Sequence, residues 1–97
     1  MSIDQAEQIT VVDGQIATFK HGGFGDALAA LEQGGVVERD GWNGKGMWLR
    51  LQTPDAHSKM THPYIYLRTA DGHLVPWSAS QTDLLARDWA GYLPLIE

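Results

Sequence analysis

Asn43-Gly44 sits between two runs of strand-forming residues, Val36 to Trp42 and Met47 to Thr53, and this arrangement constrains the fold more than any other feature. An Asn-Gly pair accepts the positive φ angles of a two-residue turn whose twist matches that of the strands it joins. The spacing predicts an antiparallel hairpin. On its second arm Met47, Leu49 and Leu51 fall on one face and Trp48, Arg50 and Gln52 on the other, because side chains alternate along a strand. Tyr64 to Thr69 reads as the next strand, with Ile65 and Leu67 on one face and Tyr64 and Tyr66 on the other. Asp71-Gly72 turns it into a strand from His73 to Trp77.

Upstream of the hairpin the period changes. Phe24, Ala27, Leu28 and Leu31 recur at helical spacing, which predicts a helix over 24–33. Asp26 lies near its positive end, and Gly34-Gly35 supplies a stop. Ser80-Gln-Thr-Asp83 has the form of a capping box and opens a short second helix, expected to run from Ser80 to Trp89. The apolar run Tyr92 to Ile96 is expected to pack back onto the body. Residues 1–23 read as an N-terminal extension, in which Gln8 to Val12 and Gln15 to Phe19 flank the turn pair Asp13-Gly14 as a hairpin. Residues 24–97 read as a single domain. Two helices on a mostly antiparallel sheet make it α+β.

Ninety-seven residues with four Trp, three Tyr and two Phe carry more aromatic surface than one small core readily hides. With aliphatic side chains on one face of the sheet and Trp48, Tyr64 and Tyr66 on the other, the second face needs a ligand or another subunit. A homo-oligomer is expected. The net charge of −5 argues against binding DNA or RNA, which requires a basic face. A small anion is still compatible, because a helix N-terminus holds phosphate without net protein charge. There are no cysteines, hence no thiolate chemistry. No apolar stretch approaches the roughly 20 residues that cross a bilayer, and the first residues lack the pattern of a signal peptide. The expected location is the cytoplasm.

Chemistry is scarce. His57 and His62 are five apart on a polar segment without helical spacing to other ligands, so no metal site is expected. No nucleophile motif is present, so the chain is not expected to be an enzyme, and no cofactor is expected. Gly44-Lys45-Gly46 lacks the Ser or Thr and the earlier glycine of a phosphate-binding P-loop, though Lys45 is available to neutralise a phosphate. Trp42 and Trp77 each stand where a strand ends, a position that suits packing or a stacking platform. Phe24 is either a core residue of the helix stripe or a third wall. Ser80 and Asp83 are explained by capping, whereas Gln81 and Thr82 are not consumed by it and project from a turn with free N–H groups.

At Phe24-Gly-Asp-Ala-Leu28, Gly41-Trp-Asn-Gly-Lys-Gly46 and Thr69 through Trp77-Ser-Ala-Ser-Gln-Thr-Asp-Leu84, the chain resembles the second type of Thoeris anti-defence protein, a family of small phage and prophage proteins. The resemblance runs over about Phe24 to Trp89. It implies a sponge that sequesters the cyclised ADP-ribose signal of bacterial TIR-domain enzymes in pockets between the protomers of a homotetramer. For some members it also implies separate sites for cyclic oligonucleotides of the CBASS type. Carried over by motif, Phe24, Trp42 and Trp77 would enclose a base, while Asn43, Gln81, Thr82 and Asp83 would contact ribose or phosphate-side groups. The expected partners are thus a small cyclic nucleotide signal and further copies of the chain, in the bacterial host cytoplasm, with no nucleic acid and no membrane. The rival expectations are a nucleotide-signal hydrolase, for which Thr82 and Asp83 would be the candidates, and a structural oligomerisation module. Residues 1–22 and the loop 53–63 are where the chain departs from, or varies within, the family pattern.

Overall fold

The computed structural model describes residues 8–12, 16–42 and 45–94. The turn pairs Asp13-Gly14 and Asn43-Gly44, and the tail beyond Pro94, lie outside the described residues. In chain order the elements are β1 (Gln8–Val12), β2 (Ile16–Gly22), α1 (Phe24–Glu32), β3 (Val36–Arg39), β4 (Trp48–Gln52), β5 (Tyr64–Arg68), β6 (Leu74–Pro76), α2 (Gln81–Leu85) and β7 (Trp89–Pro94). The fold is α+β, as the sequence predicts.

Among the described residues, seven strands form one sheet in the order β1-β2-β7-β3-β4-β5-β6, and neighbours run antiparallel throughout. β2 and β3 therefore run in the same direction with a gap between them, α1 crosses from one to the other, and β7 fills the gap. β1 and β2 are continuous with this sheet: β1 pairs with β2, β2 pairs with β7, and Ala17 and Phe19 lie in the core.

The C-terminal third departs from expectation. The second helix stops at Leu85 rather than reaching Trp89, because Ala86 adopts an extended conformation with ψ 150°. Physically, α2 buries no residue, so nothing rewards further turns. Trp89 instead opens β7 and is fully buried at the centre of the core. The β3 strand likewise ends at Arg39, short of Trp42, and the chain turns at Asp40-Gly41.

One face of the sheet carries Ala17, Phe19, Val37, Leu49, Trp89 and Leu93, on which α1 lays Ala27, Ala30 and Leu31. Helical periodicity produces that stripe, and α1 begins with the Asp26 carboxylate accepting the Gly23 N–H at 2.9 Å. Gly91 lies in register with Val37 on one side and Phe19 on the other. A Cβ there would sit 2.2 Å from the Val36 carbonyl oxygen, so only glycine lets the strands meet. On the opposite face Trp48 meets Tyr66 edge-on, with ring centroids 6.1 Å apart. Tyr64, Leu74 and Tyr92 are exposed there.

Candidate functional site

Four aromatic residues far apart in sequence converge at one end of the core. Trp89 is the hub. Phe24 packs against it at 5.4 Å between centroids, Trp42 at 5.5 Å and Trp77 at 6.2 Å, each at a steep angle of the edge-to-face kind. Phe24 also stacks on Trp77 at 5.8 Å with 30° between the ring planes. The Trp89 indole N–H donates to the Asp83 carbonyl at 2.9 Å, so the buried polar group of the hub is satisfied from α2.

Each outer ring is set beside the end of a regular element. Phe24 is the first residue of α1. Trp77 follows β6, where its backbone N–H donates to the Ile65 carbonyl at 3.0 Å. Trp42 follows the turn after β3, where its N–H donates to the Arg39 carbonyl at 3.2 Å. All three residues are half-buried against the core.

Two separate hollows open beside this cluster. The larger, about 520 Å³, is walled by Trp77, Pro76, Ile65 and Tyr64 and rimmed by Met60, Thr61, His62 and Pro63 from the β4–β5 connection. Its apolar walls and few polar groups match the usual make-up of a small-molecule site. The smaller, about 260 Å³, lies beside Trp42 among Glu38, Arg39, Asp40, Lys45, Gly46 and Met47. The 53–63 connection closes part of its length on itself, with Ser58 and the His57 N–H both donating to the Asp55 carboxylate.

A network of charge holds the Trp42 side together. The Arg39 guanidinium divides between two carboxylates, Nη1 donating to Asp83 at 2.9 Å and Nε to Asp88 at 2.8 Å. The same Asp83 oxygen accepts the Trp42 indole N–H at 3.3 Å, and its other oxygen accepts the Ser80 N–H at 3.2 Å. Asp88 also accepts the Gly41 N–H at 2.7 Å. Burial acts to raise the Asp83 pKa, but hydrogen bonds from Arg39, Ser80 and Trp42 outweigh it and hold the carboxyl below its ordinary range. Asp88 is lowered chiefly by its hydrogen bond from Arg39, against burial and with help from Gly41. Arg39 is correspondingly raised by its bonds to Asp88 and Asp83.

Both carboxylates hold protons less readily in the folded chain than in the unfolded one. Their contribution is complete above the ordinary carboxylate range and is lost as pH falls through the depressed folded values. Asp88→Asn is therefore expected to flatten the loss of stability below about pH 4. Urea midpoints measured from acid to neutral pH test this, and parallel curves for the two proteins would contradict it.

Of the residues singled out in the sequence, Phe24, Trp42, Trp77 and Asp83 meet around Trp89. Gln81 and Thr82 are exposed on α2, directly after the Ser80 cap, whose hydroxyl accepts the Asp83 N–H at 3.0 Å. Lys45 is exposed at the Trp42 hollow and is not among the residues lining the Trp77 hollow. Asn43 lies outside the described residues. Sequence reasoning overlooked Trp89, hidden at the end of an expected helix, and the pairing of Arg39 with Asp83 and Asp88. No alternation marks Trp89 as a strand residue, because Trp89, Gly91 and Leu93 are interleaved with Ala90 and Tyr92, which are apolar as well.

Residues 22–91 match the family model of the Thoeris anti-defense 2-like domain, a span that takes in the whole aromatic cluster and both hollows. The chain belongs to the Thoeris anti-defense 2-like family. A relative named Thoeris anti-defense 2, from Bacillus phage SP01, is 42% identical over 79 residues, covering 68% of this chain and 89% of the relative. Membership in the Thoeris anti-defense 2-like family supports a role in phage anti-defence. The family match begins at Gly22, so β1 and all of β2 before its last residue lie ahead of it. Among the described residues, no helix is long and apolar enough to cross a membrane.

Proposed function

We propose that the protein is an anti-defence sponge: it binds a cyclic nucleotide immune signal of the cyclised ADP-ribose class tightly and intact, and so keeps it from its bacterial receptor. The observation that carries this reading is the hollow of about 520 Å³ beside Trp77, an indole already backed by Phe24 and Trp89. A ring held from behind is a preorganised platform, and stacking a base on an aromatic side chain is worth about 1–3 kcal/mol. The volume lies within the range of small-molecule sites. Family membership supplies the biological setting.

A sponge requires affinity well below the signal concentration, and a nanomolar dissociation constant corresponds to about −12 kcal/mol. One hollow open to solvent does not enclose a ligand on most sides. The reading therefore includes assembly of several copies, as a homotetramer, with a second protomer closing the site. The exposed face bearing Tyr64, Leu74 and Tyr92 is surface suited to such contacts. Cyclic oligonucleotides of the CBASS type are candidate second ligands, and the host cytoplasm is where the signals are met. Binding is non-catalytic: Asp83, the carboxylate that accepts the Trp42 indole N–H, has both oxygens occupied by donors of its own chain.

The test is recovery. The protein is mixed with glycocyclic ADP-ribose, passed through a filter that retains protein, then heat-denatured and the released material analysed. Intact ligand in stoichiometric amount is the expected result. Altered ligand would turn the reading to an enzyme, and no retention of this or any cyclic oligonucleotide would turn it to a structural module.

A further inference from the structure

We propose that Arg39 is a positioning residue for the Trp42 side of the aromatic cluster: its guanidinium, spanning Asp83 and Asp88, locks residues 40–42, which carry Trp42, to the start of α2, which carries Gln81 and Thr82, so that both move as one body. The proposal rests on the sponge reading only for what the locked segments do; the lock itself is a matter of geometry.

Two segments more than 40 residues apart in sequence meet here, at the end of the β3–β7 ladder where Arg39 pairs with Trp89. After β3, the chain at residues 40–42 leaves the sheet. It is held by the Asp40 N–H to the Asp88 carbonyl at 3.1 Å, the Gly41 N–H to the Asp88 carboxylate at 2.7 Å and the Trp42 indole to Asp83 at 3.3 Å. Every one of these acceptors belongs to the stretch 83–88. Arg39 is the group that lets two carboxylates lie side by side there, giving Nε to one at 2.8 Å and Nη1 to the other at 2.9 Å. The network is part-buried, with side chains 15% exposed at Arg39, 13% at Asp83 and 30% at Asp88, so it is screened less than a fully exposed ion pair.

The sharing of one oxygen makes this more than a staple. Asp83 Oδ1 accepts both Arg39 and the indole of Trp42, so the direction of the indole N–H depends on where Arg39 holds the carboxylate. The other oxygen of Asp83 takes the Ser80 N–H, which fixes the cap immediately before Gln81 and Thr82. Space is also tight: a Cβ on Gly41 would lie 2.8 Å from Asp88 Oδ2. A lysine at position 39 would keep the charge but lose the planar fork that serves two acceptors at fixed angles.

The experiment compares the full chain with Arg39→Lys and Asp88→Asn, each made also in a Trp42→Phe background. Near-ultraviolet circular dichroism reads the indole setting without ligand, and titration with glycocyclic ADP-ribose reads the site. Arg39→Lys is expected to keep the far-ultraviolet spectrum, change the near-ultraviolet spectrum, and weaken binding by about tenfold, with both changes much reduced in the Trp42→Phe background because the residues are coupled. Asp88→Asn is expected to behave in the same direction, and it serves if Arg39→Lys folds poorly. An unaltered near-ultraviolet spectrum with unaltered affinity would overturn the proposal, as would effects of Arg39→Lys and Trp42→Phe that simply add. Should the wild-type chain bind no glycocyclic ADP-ribose, the sponge reading fails, while the spectra still decide the lock.

Discussion

Trp89→Ala is expected to cost about 3–5 kcal/mol of folding stability, the range for truncating a large buried aromatic. Trp89 has no exposed surface, and the rings of Phe24, Trp42 and Trp77 all lean on it. Removing it opens a void beneath three half-buried rings and deprives the Asp83 carbonyl of its 2.9 Å partner. A domain of this size is stable by only about 5–15 kcal/mol, so the loss takes a large share of the total. Urea unfolding at fixed protein concentration gives the number, concentration being held because assembly shifts apparent stability. Trp89→Phe, which keeps a ring in the void, is expected to recover part of the loss. A midpoint for Trp89→Ala within experimental error of the wild type would mean that the cluster is not the centre of this core.

Trp77→Ala is expected to have the largest effect on binding and little effect on the fold. The indole is half-buried and Trp89 remains to hold Phe24, so the core keeps its main member. Its outer side walls the 520 Å³ hollow. Loss of one stacking surface worth about 1–3 kcal/mol weakens binding by about 5- to 150-fold. Equilibrium dialysis with glycocyclic ADP-ribose, accompanied by circular dichroism and sizing, checks both halves of the expectation. Wild-type affinity in a folded variant would remove Trp77 from the site. Lost binding with a broken assembly would assign Trp77 to the interface instead.

Elements with a strong local period were legible in the sequence. The stripe Phe24, Ala27, Leu28, Leu31 located α1 to within a residue of its end, although Leu28 itself is exposed while Ala27 and Leu31 are buried. The pairing of Leu49 with Leu67 and Leu51 with Ile65 follows the face assignment read from alternation. What stayed hidden depends on partners distant in the chain. β7 pairs with β2 and β3, and no pattern within Trp89–Pro94 announces either neighbour. Its inward positions include Gly91, so the apolar alternation that marks a strand is broken by the residue that close approach to Val36 requires. The site divides in the same way. The rings of Phe24, Trp42 and Trp77 stood out as residue types at strand and helix ends. The buried ring joining them did not, nor did an arginine whose two acidic partners lie 44 and 49 residues away.

The slot between β2 and β3 has a consequence for how the chain is made. During synthesis the hairpin of β1 and β2, α1, and the β3–β6 meander all emerge before the strand that bridges them. Until residues 89–94 leave the ribosome, two sheet fragments stand with unpaired inner edges, and the helix that spans them has no Trp89 to rest on. Completion of the core is a late, long-range closure rather than a progressive one, the kind of step that slows folding and invites wrong partners. A chain cut short before Trp89 is therefore expected to take β7 from a full-length copy, in the manner of a domain swap.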